Sequence, residues 1–359
     1  MSIVAHHFRF VVGVDTHARN HVYAIIAAAT GEHVETGQFP TTAAGLKRAI
    51  GWARRRTGAA AETLWVIEGI ASYGALLAGA VAAGGYQVAE APAMDAKAHH
   101  GVGKSDPLDA QRMAAAVLGT DVARLRRPRL DDGVRAALQV LLTARDAMTG
   151  ERTRAVNALT ALLRVHDLGV DARKPLTPAQ IDEAAHWRAR KEPLADQVAR
   201  AEATRLAVRI HALGGELADN TTRMRELVKI SQAAPLLDKV GIGPVAAATC
   251  LTAWSHPGRV HSEAAFASLA GVNPIPASSG NTTGRYRLNR GGDRRLNRVL
   301  YFVAITRMTH DSETRAYVER RRAEGKTVKE IRRIIKRYLA RQIYRALNAS
   351  RGPTPATAS

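Results

Sequence analysis

The sequence predicts a mixed α/β domain at the N-terminus, followed by segments that are mostly α-helical. Apolar runs of strand length, separated by turn residues, occur in the first part of the chain. From about residue 130 to residue 229 the apolar residues recur instead at helical spacing, with little sign of strands. The 359 residues are enough for two domains that each bury a core. We therefore expect an α/β domain and a helical remainder rather than one compact unit.

The N-terminal domain is predicted to contain three strands, a helix, a strand, a second helix, a short strand and a third helix. The first three strands should form an antiparallel meander, with Gly31 in a tight turn. The predicted elements are strands at 10–14, 22–29 and 33–39, a helix at 43–56, a strand at 64–67, a helix at 72–83 and a strand near Val88. By analogy of fold, this order is that of an RNase H-like domain.

The middle of the chain carries two amphipathic stripes that Pro175 and Pro178 separate. The stripes consist of Leu138, Leu141, Met148, Val156, Leu159 and Leu163, and of Leu206, Ile210, Leu213 and Leu217. Steps of four, three and four residues are typical of an amphipathic or coiled-coil helix. We expect an antiparallel helical pair that acts as an arm, a spacer or an oligomerisation surface. An ordinary helical subdomain explains the pattern equally well.

The charge of the chain predicts a polyanionic partner. The formal net charge is +20 and the pI is near 10.8, which favours nucleic acid. An anionic membrane is the alternative, but the sequence shows neither an apolar run of spanning length nor a secretory leader, so we expect a soluble intracellular protein. The single cysteine, Cys250, excludes an internal disulfide and a cysteine-based zinc site. Carboxylates are therefore the expected metal ligands.

Four acidic residues in the first third of the chain are candidates for binding a divalent metal: Asp15, Glu68, Asp106 and Asp109. Asp15 and Glu68 each follow an apolar run that is predicted as a buried strand, where an unpaired carboxylate is costly to desolvate. Asp106 and Asp109 are three residues apart and share one face of a predicted helix. If the strands are neighbours, the four carboxylates suit two Mg²⁺ ions that promote phosphoryl transfer.

Each acidic residue also has an ordinary structural explanation. Asp106 before Pro107 is typical of a helix N-cap with proline at the first helical position, and Asp109 would then lie in the first turn. Asp15 could be a turn former and Glu68 a simple strand end. Only the four residues together, in this order, favour the metal site.

The second half of the chain combines exposed serines with many arginines. Ser278 and Ser279 lie between prolines and the arginines 285, 287, 290, 294, 295 and 298, where phosphate would be attracted. A serine attacks phosphorus only if its proton is removed or its oxygen is metal-bound, and no base is evident nearby in the sequence. An ordinary polar loop is the alternative interpretation.

A strongly basic segment spans residues 320–345. Its apolar residues are Val328, Ile331, Ile335, Tyr338, Leu339 and Ile343, at helical spacing. We expect these residues to pack on the domain while the cations face outward. Because the excess charge has one sign, the segment predicts contact with the DNA or RNA backbone and a steep dependence of binding on salt.

Several motifs in order resemble one family. They are VGVDTH at 12–17, FPTTAAG at 39–45, EGIASYG at 68–74, GKSDPLDA at 103–110, SEAAFASLAGVNPIPASSG at 262–280 and LNRGGDR at 288–294. Together they are similar to the DEDD insertion-sequence transposases related to the Piv invertase, and the resemblance runs from about residue 10 to residue 345.

The resemblance implies an architecture and an activity. It implies a RuvC-like, RNase H-type DEDD domain at 8–128, a coiled-coil linker and oligomerisation segment at 129–232, a mostly helical transposase domain at 233–348 and a disordered tail at 349–359. Asp15, Glu68, Asp106 and Asp109 would hold Mg²⁺ or Mn²⁺, and Ser279, which precedes Gly280, would be the nucleophile. Family members excise and insert a mobile element.

The resemblance also implies partners. A structured noncoding bridge RNA would pair with target and donor DNA, and a dimer that pairs into a tetramer would combine the serine with carboxylates of another protomer. The expected place of action is the nucleoid in the cytoplasm of a prokaryotic cell. The residues expected to contact nucleic acid are Lys104, Arg285, Arg287, Arg290, Arg294, Arg295, Arg298, Arg332, Arg333, Lys336 and Arg337.

Some residues depart from the family pattern, and other functions stay open. Ala18 replaces a usually basic residue, and the stretch 94–103 has fewer arginines than usual. Ser278 competes with Ser279 for the nucleophile. The chain could instead be a metal-dependent nuclease or junction resolvase whose serine is structural, or a noncatalytic DNA- or RNA-binding remnant of a transposase.

Overall fold

The structure is a computed structural model, and it describes residues 2–92, 105–129, 133–277, 286–289 and 291–349. The chain forms two compact units. The N-terminal unit is Met1–Asp131 with Ser255–His261, and the C-terminal unit is Asp132–Trp254 with Ser262–Ser359. The domain boundaries at residues 128, 232 and 348 stay a prediction.

The N-terminal unit contains a five-stranded mixed sheet. Its strands are β1 (Phe10–Thr16), β2 (Asn20–Ala27), β3 (His33–Pro40), β4 (Thr63–Ile67) and β5 (Gln87–Glu90), in the order β3-β2-β1-β4-β5. β1 and β2 pair antiparallel, as do β2 and β3, so the predicted meander is confirmed. β1 pairs with β4 and β4 with β5 in parallel, which places β1 at the centre of the sheet.

Helices cover the sheet, and most match the predicted elements. They are α1 (Val4–His7), α2 (Ala43–Thr57), α3 (Ala75–Ala83) and α4 (Asp106–Ala115), with 3₁₀ turns at Ala60–Glu62 and Val122–Arg124. The predicted start of α3 at Ser72 is wrong by three residues. Gly69 has a φ of +53° and its carbonyl accepts bonds from Ser72 and Gly74, so these residues form a turn ahead of the helix. The short α1 has no counterpart in the sequence prediction.

The two faces of the sheet bury different clusters, and β1 alternates between them. Val12 and Val14 pack with Trp52 and Trp65 in one core, and Val11 packs with Ala114 in the other. Gly13 lies on the α4 face as well. A Cβ there would lie 2.0 Å from the Ala110 carbonyl oxygen, so glycine permits the close approach of α4 to β1.

The C-terminal unit is mostly helical within the described residues. It contains α5 (Gly133–Val165), α6 (Pro178–Ala185), α7 (Leu194–Lys229), α8 (Pro244–Trp254), α9 (Glu263–Leu269), α10 (Arg294–His310), α11 (Ser312–Ala323), α12 (Val328–Ala349) and a two-stranded ribbon of β6 (Pro274–Pro276) and β7 (Tyr286–Leu288).

The long helices α5 and α7 lie antiparallel, as the stripes predict. Arg145 donates to the Leu217 carbonyl (3.0 Å) and Arg209 to Glu151 (2.8 Å), so residue numbers rise along one helix as they fall along the other. Leu159 and Ile210 belong to the core that α5, α6 and α7 share. A Thr177–Gln180 capping box begins α6, which makes the region a three-helix arrangement rather than a simple pair.

The basic segment 320–345 spans two helices. α11 ends at Ala323, and Gly325, with a φ of +82°, lies in the turn before α12. In α12, Ile331, Ile335, Leu339 and Ile343 are buried, as predicted. Val328 and Tyr338 are exposed, so the prediction that they pack inward is wrong. Among the described residues, no helix is long and apolar enough to cross a membrane.

Candidate active site

Asp15 lies near the end of β1 on the face that α4 covers. Val11, Gly13 and Asp15 alternate onto this face, while Ala114, Ala110 and Asp106 follow one another along one side of α4. Two residues of a strand span about 6.6 Å and four residues of a helix about 6 Å, so each residue of the strand series lies opposite one residue of the helix series. Asp15 therefore lies near the first turn of α4, and only 7% of its surface is exposed.

Glu68 lies beside Asp15 because β1 and β4 are parallel neighbours. Val14 pairs with Ile67, and the Glu68 N–H donates to the Val14 carbonyl at 3.1 Å. Burial is the main cause that raises the pKa of Glu68 above its ordinary value, followed by a side-chain hydrogen bond with Asp15 and the charges of Asp15 and Asp109; His17 opposes the shift. The carboxyl groups of Asp15 and Asp109 thus lie close enough to Glu68 to favour its protonated form.

Helix α4 supplies the other two carboxylates from its first turn. Its N-cap is Ser105 and Asp106 is the first helical residue, so the interpretation of Asp106 as the N-cap is wrong. Asp109 lies in the first turn, as predicted, and accepts a bond from Arg112 at 3.1 Å. The dipole at a helix N-terminus favours two anions at these positions.

His17 joins the acidic residues, although sequence reasoning gave it no role. Its Nε2 lies 3.2 Å from Asp15 Oδ2 and 3.5 Å from Asp106 Oδ2. The ligand atoms of the three residues lie within 4.8 Å of one another, an arrangement that could hold a metal ion. The spacing of His17 two residues after Asp15 is the signal that could have identified it, since alternate strand residues share a face.

Two polar residues support this edge of the sheet from behind. His21 is buried, and its Nδ1 accepts a bond from the backbone N–H of His17 at 3.3 Å. Burial, and then the charge of His17, lower the pKa of His21, which agrees with a neutral ring accepting at Nδ1. Thr16 donates to the Glu68 carbonyl at 3.2 Å and so ties β1 to the end of β4.

The donor set suits a hard divalent cation. Asp15 and Asp106 both contact His17, Glu68 lies beside Asp15, and among the described residues Arg112 is the arginine paired with Asp109. Carboxylate oxygens are the preferred ligands of Mg²⁺ and Mn²⁺. Burial, and then the neighbouring Asp15, raise the pKa of Glu68, and a bound cation would favour its charged form.

Several predicted site residues lie outside the described residues. They are Ser278, Ser279, Lys104, Arg285 and Arg290. The described residues around the serines form the ribbon, in which Pro276 pairs with Tyr286. The role of Ser279 as nucleophile stays a prediction.

The other predicted nucleic-acid contacts divide into paired and unpaired cations. Arg295 forms an ion pair with Asp146, and Arg337 donates to the Glu263 carbonyl at 3.4 Å. Arg332 lies over the Tyr301 ring at 4.8 Å, and Lys336 donates to Asn297 at 2.7 Å. Within the described part of the chain, no ion pair forms at Arg287, Arg294, Arg298 or Arg333.

Two family models match successive parts of this chain. A transposase model named for the DEDD motif and for IS110 matches residues 12–166. A second model, described as transposase IS116/IS110/IS902 family, matches residues 233–319. The first match includes all four carboxylates and the second includes both serines.

Curated relatives are similar in sequence to most of this chain. The insertion element IS900 uncharacterized 42 kDa protein of Mycobacterium paratuberculosis is 28% identical over 74% of this chain and 77% of the relative. The insertion element IS116 uncharacterized 44.8 kDa protein of Streptomyces clavuligerus is 27% identical over 89% of this chain and 90% of the relative. The insertion element IS110 uncharacterized 43.6 kDa protein of Streptomyces coelicolor is 27% identical over 74% and 76%.

The two matching transposase models and the insertion-element relatives identify the class of this protein as a DNA transposase. The chain belongs to the IS116/IS110/IS902 family of insertion-sequence transposases.

Proposed function

We propose that this transposase excises and inserts a mobile element by cleaving and exchanging DNA strands, with Ser279 as nucleophile and a metal site at Asp15, Glu68, Asp106 and Asp109. The observation that carries the proposal is the grouping of Asp15 and Asp106 with His17, next to Glu68, in a chain that two transposase models match. The element order and the mixed sheet support an RNase H-like, RuvC-like assignment of the N-terminal unit.

The four carboxylates would hold Mg²⁺ or Mn²⁺, which would supply charge stabilisation at the reacting phosphate. Asp15 and Glu68 orient the site from the rigid sheet, because backbone hydrogen bonds fix both strands. Asp106 and Asp109 complete it from α4, and Arg112 holds the Asp109 carboxylate in place. His17 is a further candidate ligand through Nε2.

The covalent step would take place at Ser279. Its hydroxyl loses a proton and its oxygen forms a bond to phosphorus, while one phosphodiester P–O bond breaks and the released sugar oxygen takes up a proton. The result is a phosphoserine link that preserves the energy of the broken bond for strand exchange. The adjacent Ser278 is the competing nucleophile.

The partners we propose are donor and target DNA, a bridge RNA that pairs with both, and further copies of this chain. The net charge of +20 supports a large polyanionic partner. The long α5 and α7 support a coiled-coil, oligomer-forming segment, and a dimer that pairs into a tetramer would bring the serine of one protomer to the carboxylates of another. Such an assembly would work at the nucleoid.

Trapping the protein on cleaved DNA tests the serine. The wild type should yield a covalent adduct that survives denaturation, Ser279→Ala should lose it, and Ser278→Ala should keep it. Hydrolysis without an adduct would favour the nuclease or junction resolvase. A noncatalytic remnant would form no adduct and cleave no DNA, and it predicts that Asp15→Ala leaves every activity intact. Sequencing the RNA that copurifies with the protein tests the guide, since a bridge RNA should appear as one discrete species.

A further inference from the structure

The C-terminal unit contains a cleft that the carboxylate site does not use. Its volume is about 660 Å³, within the range of roughly 300–1,000 Å³ that is usual for sites that bind small organic groups. The walls come from the loop after α9, the β6–β7 ribbon, α10 and α12. Lysines, arginines and three tyrosines line it, and no acidic residue occurs among the described lining residues. The cleft is therefore suited to an anion that also carries an aromatic group.

Lys336 is held inside this cleft as an unneutralised cation. Its Nζ donates to Asn297 Oδ1 at 2.7 Å, and the Asn297 amide donates in turn to the Ala270 carbonyl at 2.7 Å. Burial is the main cause that lowers the pKa of Lys336, and the charges of Arg332 and Arg333 add to it. Among the described residues no carboxylate forms an ion pair with Lys336. A phosphate would supply the missing counter-charge.

Aromatic rings accompany the cations. The Arg332 guanidinium carbon lies 4.8 Å from the centre of the Tyr301 ring. Tyr338 is 45% exposed, although Ile335 and Leu339 next to it on the same helix are buried. Tyr286 on the ribbon is 63% exposed. A surface that only followed a duplex backbone would need no such rings. Bases stack on aromatic side chains when they are unpaired.

A second, smaller depression continues the cleft. Its volume is about 390 Å³, and it shares Asn289, Asn297 and Tyr301 with the larger cleft while adding Arg294 and Arg298. Both arginines lie near the start of α10. A strand that left the cleft past Tyr301 would present its next phosphate to these arginines.

We propose that this cleft binds one unpaired nucleotide of a nucleic-acid strand, with its phosphate at Lys336 and its base on the tyrosine wall. This proposal deepens the proposed function and rests on it. Tyr286 of the wall pairs with Pro276, and the segment of sequence between these two residues contains Ser279. A nucleotide in the cleft would thus lie beside the ribbon that leads to the proposed nucleophile. The chemistry is shared by DNA and RNA.

Equilibrium binding of short labelled oligonucleotides to the full-length protein tests the proposal. Fluorescence anisotropy would compare oligo(dT) with an abasic strand of the same length and charge. Loss of one stacked base should weaken binding about tenfold or more. Oligo(U) and a duplex of equal length complete the set. Oligo(U) shows whether RNA binds as well as DNA, and the duplex should bind through its phosphates alone because its bases are paired.

Variants separate the base contribution from the phosphate contribution. Tyr301→Leu and Tyr338→Leu should reduce the difference between oligo(dT) and the abasic strand, whereas Tyr301→Phe and Tyr338→Phe should keep it. Lys336→Gln should weaken both strands to a similar degree. Tyr73→Leu and Lys47→Gln, exposed residues of the N-terminal unit, are the matched controls and should change neither affinity.

Equal binding of oligo(dT) and the abasic strand by the wild type overturns the proposal, and this result needs no variant to fold. A base-dependent difference that survives both Tyr→Leu substitutions also overturns it, since the base would then bind elsewhere. A wild type that forms no covalent adduct but keeps the base preference would refute the proposed chemistry and not the cleft. A wild type that forms the adduct but shows no base preference would support the proposed chemistry and refute the nucleotide cleft.

Discussion

Asp15 and Glu68 end two parallel, hydrogen-bonded strands in the same register, one step beyond the Val14–Ile67 pair. Their carboxyl groups share a hydrogen bond, and burial together with the charges of Asp15 and Asp109 raises the pKa of Glu68. The sheet therefore brings like charges together beside the buried Asp15, which lowers stability unless a proton or a cation intervenes. Binding of a cation at the proposed metal site should therefore raise the stability of the protein, which can be measured without DNA.

Asp15→Asn should abolish stabilisation by metal. A ligand that binds only the folded state stabilises it by about 2.7 kcal/mol at one hundred times its Kd, so saturating Mg²⁺ or Mn²⁺ should raise the wild-type melting temperature by several degrees. The variant should lose this shift, while its metal-free stability stays equal or rises because one repelling charge is gone. Thermal unfolding with and without metal measures both effects.

Asp121→Asn is the matched control for that experiment. Asp121 accepts a bond from the Ala123 N–H at 2.9 Å, and asparagine caps nearly as well as aspartate, so the metal-dependent shift should match the wild type. A full shift in Asp15→Asn would show that Asp15 is not a ligand.

His17→Ala should reveal whether the imidazole binds metal or only neutralises the carboxylates. Imidazole nitrogen suits Mn²⁺ better than Mg²⁺, so removing a ligand should weaken Mn²⁺ binding more than Mg²⁺ binding, by about tenfold. Isothermal titration with each ion measures the two affinities. If His17 only neutralises the carboxylates and does not bind the metal ion, the variant should bind both ions as well as the wild type or better.

The sequence predicted the sheet because each strand carried its own signal. The valines of β1, the Gly31 turn and the apolar run of β4 are local features, and the parallel pairing of β1 with β4 follows once a helix connects them. Asp15 and Glu68 could be identified for the same reason, since their positions depend only on where two buried strands end.

Features that depend on the tertiary arrangement could not be predicted. The contact of His17 with Asp106, unlike its nearness to Asp15, depends on the approach of α4, which Gly13 permits, and no local pattern encodes that approach. The exposure of Tyr338 breaks a helical stripe that the sequence alone assigns to the core, because the cleft lies against that part of α12. The assignment of Asp106 as N-cap failed by one residue since Ser105 and Asp106 have similar capping preferences.

Gly13→Ala should destabilise the N-terminal unit and weaken metal binding together. The added Cβ would lie 2.0 Å from the Ala110 carbonyl oxygen and 2.8 Å from the Ala114 nitrogen, so α4 must move away from β1. We expect a loss of about 1–3 kcal/mol in the free energy of unfolding, measured by urea denaturation.

Gly79→Ala is the control for the added methyl group. Among the described residues, no atom outside the chain neighbours and the backbone of α3 itself lies within 4 Å of its Cβ position, so alanine should stabilise the helix by about 0.5–1 kcal/mol. If Gly13→Ala keeps wild-type metal affinity despite lower stability, the distance between α4 and β1 does not control the site.

Arg294→Ala should lower the salt dependence of DNA binding more than Arg295→Ala. Arg294 is exposed and forms no ion pair within the described part of the chain, whereas Arg295 is paired with Asp146. Each lost phosphate contact should reduce the slope of log K against log salt by about one. Anisotropy titrations at several salt concentrations measure the slope, and equal slopes for the two variants would contradict the role of the ion pair.

Binding of single strands should weaken at alkaline pH because of Lys336. Burial, and then Arg332 and Arg333, lower the pKa of its ammonium group below the ordinary value, and only the charged form attracts phosphate. Affinity should therefore fall as the pH rises through this lowered pKa, below the pH at which an exposed lysine, with a pKa of about 10.4, would lose its proton. Bound phosphate favours the charged form, so the fall should begin at higher pH at saturating oligonucleotide than in the dilute titration.

Lys336→Arg separates this effect from general alkaline weakening. Arginine stays protonated up to about pH 12, so the variant should bind with little change as the pH rises toward about 10.4, the ordinary pKa of lysine, while the wild type loses affinity before that pH is reached. Lys47→Gln, far along the sequence on the exposed surface of α2, should follow the wild-type profile. If Lys336→Arg and the wild type weaken in parallel, the titrating group lies elsewhere, and Lys336 is a structural partner of Asn297 rather than a phosphate ligand.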